Sequence, residues 1–180
     1  RMTSHVVEPP AMIGMLGGGQ LGRYALMAAR TMGYRTAVLD PDPGAPAAAI
    51  ADLVLTAPYD DEDALTEMGD RCAVVTTEFE NPPASALQLL ARRTLVAPSA
   101  DAVAIAQDRI REKAFLVEAG LPVGPYAVVD AADADPAIRY PAILKTSRLG
   151  YDGKGQRVVA DASEMRAAWR LLGSVPCVLE

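Results

Sequence analysis

The sequence predicts an α/β fold: a parallel sheet with crossover helices up to about residue 100, followed by a smaller α+β part. Three observations carry this. Short apolar runs of strand length alternate with helical segments from Met12 to Ala97, the pattern of strands wound together through crossover helices. Those runs are continuously apolar, Ala73-Val74-Val75 among them, as expected for strands covered on both faces. Near residue 100 the alternation stops, and a long helical stretch leads into strands spaced like hairpins.

Taken in order, Met12–Leu16 is the first strand, followed at once by Gly17-Gly18-Gly19. Gln20 to Met32 reads as a helix whose Leu21, Ala25, Ala28, Ala29 and Met32 form a buried stripe, with Gly33 as its C-cap. Thr36–Leu39 and Leu53–Thr56 are the next strands, separated by a turn-rich Pro41–Gly44. Asp60 to Gly69 is a short helix with acidic residues in its first turn, where they suit the helix dipole. Ala73–Thr76, a helix over Ala84–Arg92 and a strand at Thr94–Ala97 complete the first part. Asp101 to Ala119 is helical, as one helix or two, and ends at Gly120 and Pro122. Tyr126–Val129, Ala142–Lys145 and Arg157–Val159 read as antiparallel strands, a helix runs from Ser163 to about Leu172, and Pro176 to Glu180 begins another strand. Residues 1–11 read as a disordered lead-in, 12–100 as the first domain, and 101–180 as the first part of a second, entered through a linker helix at about 101–120.

Composition narrows the function. The 180 residues carry a net charge of −6, with no cluster of Lys and Arg, so the basic face of a nucleic-acid binder is missing. No apolar run approaches the about 20 residues of a membrane span, and the first ten residues lack the apolar core of a signal peptide. Cys72 and Cys177 lie in apolar, strand-like segments far apart in sequence. They suit a reducing cytoplasm rather than a disulfide framework or a zinc site.

Gly17, Gly19 and Gly22 fit G-x-G-x-x-G between a strand and a helix, with Asp40 ending the second strand. This is the context of a dinucleotide-binding loop. Glycines let a backbone approach a ligand and the helix N-terminus favours an anion, yet the pattern is equally that of a tight turn without a ligand. A second cluster points to a different nucleotide. Lys145 ends a strand, and Gly150-Tyr151-Asp152-Gly153-Lys154-Gly155-Gln156 follows before the next. A hairpin loop this rich in glycine offers free N–H groups to phosphate oxygens, and Lys145 places a cation beside it, which together describe a lid over a nucleotide triphosphate. The loop lacks the G-K-[ST] ending of a P-loop. Arg109 and Lys113 share a helix face at i, i+4, which by spacing alone is a solvated face. Thr77-Glu78-Phe79-Glu80-Asn81 ends a parallel strand, where open α/β sheets bind ligands. These residues either hold a polar substrate or cap the helix after Pro82-Pro83.

In this order, G-G-G-Q-L-G-R, T-E-F-E-N, Q-D-R-x-x-E-K and K-T-x-x-x-G-Y-D-G-K-G-Q resemble the 5-(carboxyamino)imidazole ribonucleotide synthetases of the ATP-grasp superfamily. The resemblance runs from Met12 to Glu180, and the lid is its most specific part. It implies a Rossmann-like pre-ATP-grasp domain followed by an incomplete ATP-grasp domain. It also implies ATP- and bicarbonate-dependent carboxylation of 5-aminoimidazole ribonucleotide through carboxyphosphate, in purine biosynthesis.

By match to the family motifs, Arg109 and Lys145 contact the ATP phosphates, Gly150, Tyr151, Asp152, Gly153, Lys154, Gly155 and Gln156 form the lid over ATP, and Glu180 opens the hinge that holds adenine. Gln20, Leu21 and Glu78 line the aminoimidazole nucleotide pocket, Tyr151 and Lys154 meet that nucleotide from the lid, and Asp152 is the catalytic residue beside the reacting amine. Magnesium is implied too, with its ligands in a part beyond these 180 residues, so the chain is expected to be a partial enzyme, inactive alone. The expected partners are ATP, bicarbonate and aminoimidazole ribonucleotide, with no nucleic acid and no membrane, in a cytoplasmic enzyme that is a homodimer at full length. The formate-dependent glycinamide ribonucleotide transformylase is the nearest rival within the superfamily; its lid resembles S-S-S-G-K-G-Q, without the Tyr151-Asp152 pair, and another ATP-grasp carboxylase, biotin carboxylase, is a more distant rival with the same carboxyphosphate chemistry. A nicotinamide oxidoreductase, resting on the first loop and Asp40, is the rival from another class.

Overall fold

The computed structural model describes residues 6–131, 134, 136–150 and 153–180. The chain divides into two compact units, residues 1–103 and 104–180.

In the first unit, β1 (Met12–Leu16), β2 (Arg35–Leu39), β3 (Leu53–Leu55), β4 (Val74–Thr77) and β5 (Leu95–Val96) form one parallel sheet in the order β3-β2-β1-β4-β5. Helices α1 (Gln20–Thr31), α2 (Glu62–Arg71) and α3 (Ala84–Ala91) are the crossovers. The order reverses at β1, which lies between β2 and β4, so the loops after β1 and β4 leave neighbouring strand ends at the topological switch point. One apolar cluster, around Leu16, Leu39, Leu65, Met68, Val75, Leu87 and Leu90, packs under α2 and α3. A second, of Met15, Leu26, Val38 and Ala47, packs under α1. Asp61 caps α2 by accepting the Ala64 N–H at 2.9 Å, which meets a donor that the helix itself leaves unpaired.

The buried stripe of α1 differs from the one its sequence suggests. Gly22, Leu26 and Ala29 face the sheet, whereas Leu21 and Met32 are exposed, as are Ala25 and Ala28. The cause is Gly22: a Cβ there would stand 2.7 Å from the Gly17 carbonyl oxygen. That close approach sets the rotation of the helix, and an alanine-rich helix gives the hydrophobic pattern little power to oppose it.

In the second unit, α4 (Ala100–Ala106) runs in from the first, and α5 (Arg109–Glu118) follows after a break at Gln107–Asp108. Asp108 makes the break by capping α5, accepting the N–H groups of Ile110 and Arg111 at 3.1 and 3.4 Å. Strands β6 (Ala127–Val129), β7 (Ala142–Thr146), β8 (Gln156–Val159) and β9 (Cys177–Leu179) form an antiparallel sheet in the order β6-β9-β7-β8. Of these pairings, β7–β8 alone is a hairpin; β6 and β7 each pair with the distant β9. Helix α6 (Ala162–Leu171) covers the sheet through Met165, Ala168 and Trp169. Asp161 caps it, accepting Ser163 N and Glu164 N at 2.7 and 2.9 Å, and Glu164 in turn accepts Ala160 N at 2.8 Å. Cys72 and Cys177 are both buried and free. No helix of the described residues is long and apolar enough to cross a membrane.

Candidate functional site

In the first unit the glycine loop after β1 is held by carboxylates of the protein itself. Asp40, at the end of β2, accepts the Gly18 N–H at 2.7 Å, and Glu78, just after β4, accepts the Gly19 N–H at 2.6 Å. Helix α1 has no acidic residue in its own first turn and no side-chain cap at Gly19, so Glu78 supplies the negative charge that its N-terminus favours. Gly17, at φ 94°, makes the turn that aims these N–H groups at the carboxylates. A Cβ on Gly19 would run into the Glu78 carboxylate, with Oε2 at 2.9 Å and Oε1 nearer still, so glycine there lets Glu78 sit against the loop.

Tyr59 supports Asp40 by donating to it at 2.8 Å, and its ring packs on Phe79 with centroids 4.8 Å apart. Burial, and then the Asp40 carboxylate, push the Tyr59 hydroxyl far above its ordinary pKa, which keeps it a proton donor. In the dinucleotide fingerprint these N–H groups would meet a pyrophosphate. Here two carboxylates occupy them and repel a second anion. The chemistry left at the rim is that of acceptors, suited to hydroxyl or amine donors. Gln20 and Leu21 are exposed in the first turn of α1 and Glu78 is half-buried beside it, so the three expected substrate residues lie around one loop. Helix α3 has Pro83 as its N-cap and no side-chain cap bond, so Glu78 does not cap it.

Of the other expected residues, the second unit places Arg109, Lys145 and Glu180 around β7 and β9. Lys145 on β7 is ion-paired with Glu180, which follows β9. Lys113 on α5 reaches the other oxygen of the same carboxylate at 2.5 Å. Burial alone would raise the Glu180 pKa, but the hydrogen bonds and charges of Lys113 and Lys145 outweigh it and hold the carboxyl below its usual range. Arg109 does not stand as a free cation. It donates to the carbonyl oxygens of Thr146 and Gly150, each at 2.9 Å, and its own N–H goes to Ser147 O at 2.9 Å. Arg109 therefore ties the helix to the root of the glycine hairpin.

Asp108 adds a second tie, accepting the Ser147 hydroxyl with Arg148 3.8 Å away. Burial opposes its ionisation, yet the hydrogen bonds from Ser147 and the two backbone N–H groups, with Arg148 beside it, lower its pKa on balance. At the far side of the hairpin, Gly153 and Gly155 have φ of 80° and 71°. A Cβ on Gly155 would stand 2.6 Å from Thr146 Oγ1. Tyr151 and Asp152, the most specific residues of the expected lid, lie outside the described residues. Lys154 and Gln156 are exposed on the returning limb. An open depression of about 440 Å³ lies beside the root of the hairpin, lined by Asp108, Arg111, Ser147, Arg148, Leu149 and Pro176 among others; it is separate from the Lys113–Glu180–Lys145 cluster. Among the described residues no group of three or more His, Cys, Asp or Glu is placed to hold a metal ion.

Sequence reasoning passed over Lys113, Asp108 and Ser147 as site residues. Asp108 had a readable signal, because Asp followed by a helical segment is a capping pattern. The pairing of Lys113 with Glu180 had none, since it depends on how α5 lies over β9.

Comparison with known proteins agrees with this division. Residues 11–107 match the ribonucleotide synthetase preATP-grasp domain, and residues 114–180 match the ATP-grasp domain. N5-carboxyaminoimidazole ribonucleotide synthase of Brucella melitensis is 44% identical over 180 residues, covering 97% of this chain and 50% of the relative. The Bacillus subtilis protein of the same name is 38% identical, covering 99% and 48%. Among solved structures, N5-carboxyaminoimidazole synthetase from Staphylococcus aureus complexed with ADP aligns with a TM-score of 0.88 at 39% identity, over 97% of this chain and 48% of that one. The Aspergillus clavatus N5-carboxyaminoimidazole synthase in complex with ADP and 5-aminoimidazole ribonucleotide aligns at 0.76 with 25% identity, over 94% and 46%. The chain spans about half the length of the curated relatives it matches. With a family model covering more than half of its residues, the chain belongs to the ribonucleotide synthetase preATP-grasp family, here continued by an ATP-grasp domain.

Proposed function

We propose that this chain supplies the substrate-binding domain and the first part of the ATP-binding domain of an enzyme that carboxylates 5-aminoimidazole ribonucleotide with ATP and bicarbonate. Its curated relatives carry the name of that synthase, and a solved relative holds ADP together with 5-aminoimidazole ribonucleotide. The observation that carries the reading is the pair of lysines on one carboxylate, Lys145 and Lys113 on Glu180, beside a glycine hairpin. One carboxylate leaves two ammonium groups with a surplus positive charge, and a polyphosphate is the ligand that uses it.

In this reading Lys145 and the N–H groups of Gly150 to Gln156 hold the phosphates, and Arg109 fixes the root of that lid while facing the triphosphate. Glu180 opens the segment that holds adenine. Gln20, Leu21 and Glu78 hold the aminoimidazole nucleotide from the first domain, with Tyr151 and Lys154 meeting it from the lid. Bicarbonate takes the terminal phosphoryl group to give carboxyphosphate and ADP. Carboxyphosphate then yields carbon dioxide and phosphate. The exocyclic amine attacks carbon dioxide, and Asp152 accepts the proton that the amine gives up. Phosphoryl transfer depends on positioning and charge neutralisation. Magnesium would add the latter, with ligands supplied outside the described residues. The enzyme acts in the cytoplasm, a reading supported by the buried free thiols of Cys72 and Cys177 and checked by fractionation; its homodimeric state is checked by sedimentation.

The test uses an extended form, the 180 residues continued by the half that the relatives carry. ADP formation should require both bicarbonate and 5-aminoimidazole ribonucleotide. Turnover driven instead by formate and glycinamide ribonucleotide would replace this reading with the transformylase one.

A further inference from the structure

Lys113 adds to the surplus charge of the ATP site but has no contact of its own with the nucleotide in that reading. It comes from α5, and its side chain is 17% exposed. Its ammonium lies between two partners, Glu180 Oε2 at 2.5 Å and the ring of Tyr126, whose centroid is 5.2 Å away. A cation held by a carboxylate on one side and an aromatic face on the other has a fixed position.

The sheet dictates what it meets there. Glu180 exchanges both backbone hydrogen bonds with Ile143, and Lys145 lies two residues further along β7, on the same face as Ile143. The carboxylate of Glu180 and the ammonium of Lys145 are therefore diagonal neighbours across a strand pair. Lys145 and Glu180 are each only 24% exposed on their side chains.

A half-buried carboxylate stripped of its only cation is costly, because removing one partner of a desolvated pair strands the other charge. If Lys145 were the sole partner of Glu180, a phosphate claiming Lys145 would have to meet that cost. Lys113 removes it. Resting on the ATP reading given above, we propose that Lys113 is a positioning residue for nucleotide binding: it keeps Glu180 neutralised so that Lys145 is released to the phosphates. Lys113 touches no phosphate in this arrangement and acts through Glu180.

The experiment measures ATP and adenosine affinity in the extended form by calorimetry, for the parent, Lys113→Met, Lys113→Arg and the double variant Lys113→Met with Glu180→Gln. Lys113→Met should weaken ATP roughly tenfold, equivalent to about 1.4 kcal/mol, and leave adenosine unchanged, since adenosine makes no demand on Lys145. Lys113→Arg, which keeps the charge and guards against a folding artefact, should stay close to the parent. The double variant should recover most of the ratio of ATP to adenosine affinity, in which any change at the adenine segment opened by Glu180 cancels, because Gln leaves no charge to strand. Unchanged ATP affinity in Lys113→Met would overturn the proposal. So would a double variant with a ratio as low as that of the single one, which would make Lys113 a direct phosphate ligand. A parent that binds adenosine and ATP equally weakly would instead overturn the ATP reading itself.

Discussion

Glu78 accepts the backbone N–H of Gly19 at 2.6 Å across 59 positions of sequence. The place where a dinucleotide-binding loop receives pyrophosphate is thereby filled by a carboxylate, with Asp40 doing the same at Gly18. The chain should accordingly show no saturable binding of a nicotinamide dinucleotide. Titration with the reduced dinucleotide, followed by its fluorescence, checks this, and micromolar binding would contradict it.

The same contact predicts an epistatic pair. Gly19 has φ −67°, so alanine meets no backbone strain there, and the cost of Gly19→Ala comes from pushing Glu78 away. Overpacking of this kind costs about 1–3 kcal/mol. In a Glu78→Ala background the same change should cost close to nothing. Denaturant unfolding of the four proteins in the cycle decides it, and equal costs in both backgrounds would contradict the assignment.

Lys145→Ala should weaken ATP binding by roughly 10- to 100-fold in the extended form, since a charge-assisted contact contributes about 1.5–3 kcal/mol. Stability should change little, because Glu180 keeps Lys113 at 2.5 Å. Calorimetry and thermal melting together check both halves of the statement.

Acid should loosen the second unit. Glu180 and Asp108 both have pKa values lowered in the folded state, from ordinary values of 4.5 and 3.8. A depressed folded pKa gives stability that is fully present above the unfolded value and is lost as pH falls through the folded one. Unfolding free energy should therefore be level down to about pH 5 and fall below it. Glu180→Gln and Ser147→Ala, which remove an ion pair and a hydrogen bond to Asp108, should each flatten part of the fall. An acid limb of unchanged slope in both variants would count against these sources.

Burial pushes the thiols of Cys72 and Cys177 up to about 11. Both should be protonated at neutral pH and slow towards thiol reagents, because the thiolate is the nucleophile. Reaction of the native protein with a chromogenic disulfide should be slow for both and become fast in denaturant.

Much of this was open to sequence reasoning. The parallel sheet was readable from the apolar runs at Met12–Leu16, Thr36–Leu39 and Ala73–Thr76, because buried strands carry a local signature. The carboxylate clasp on the glycine loop was not, since Gly19 and Glu78 become neighbours only when β1 and β4 pair. The facing of α1 was misread because its residues are small and apolar on several sides, and one close approach at Gly22 decides the rotation. In the second unit the hairpin of β7 and β8 was local, but the pairing of β6 and β7 with β9 joined distant segments. Lys113 and Glu180 met only through that pairing and the helix laid across it.

Asp152 bears the central claim, that the lid serves carboxylation as well as ATP. A carboxylate repels triphosphate, so its presence in the proposed phosphate lid calls for a second task. Asn in its place keeps the shape of an Asp-Gly turn and loses the charge and the basicity. The measurement is the rate of 5-aminoimidazole ribonucleotide carboxylation, alongside ATP affinity, in the extended form carrying Asp152→Asn. A fall of about 10²- to 10⁴-fold in rate, with ATP affinity held or improved, is the predicted result. Carboxylation at nearly the parent rate would contradict it and leave Asp152 as a turn residue.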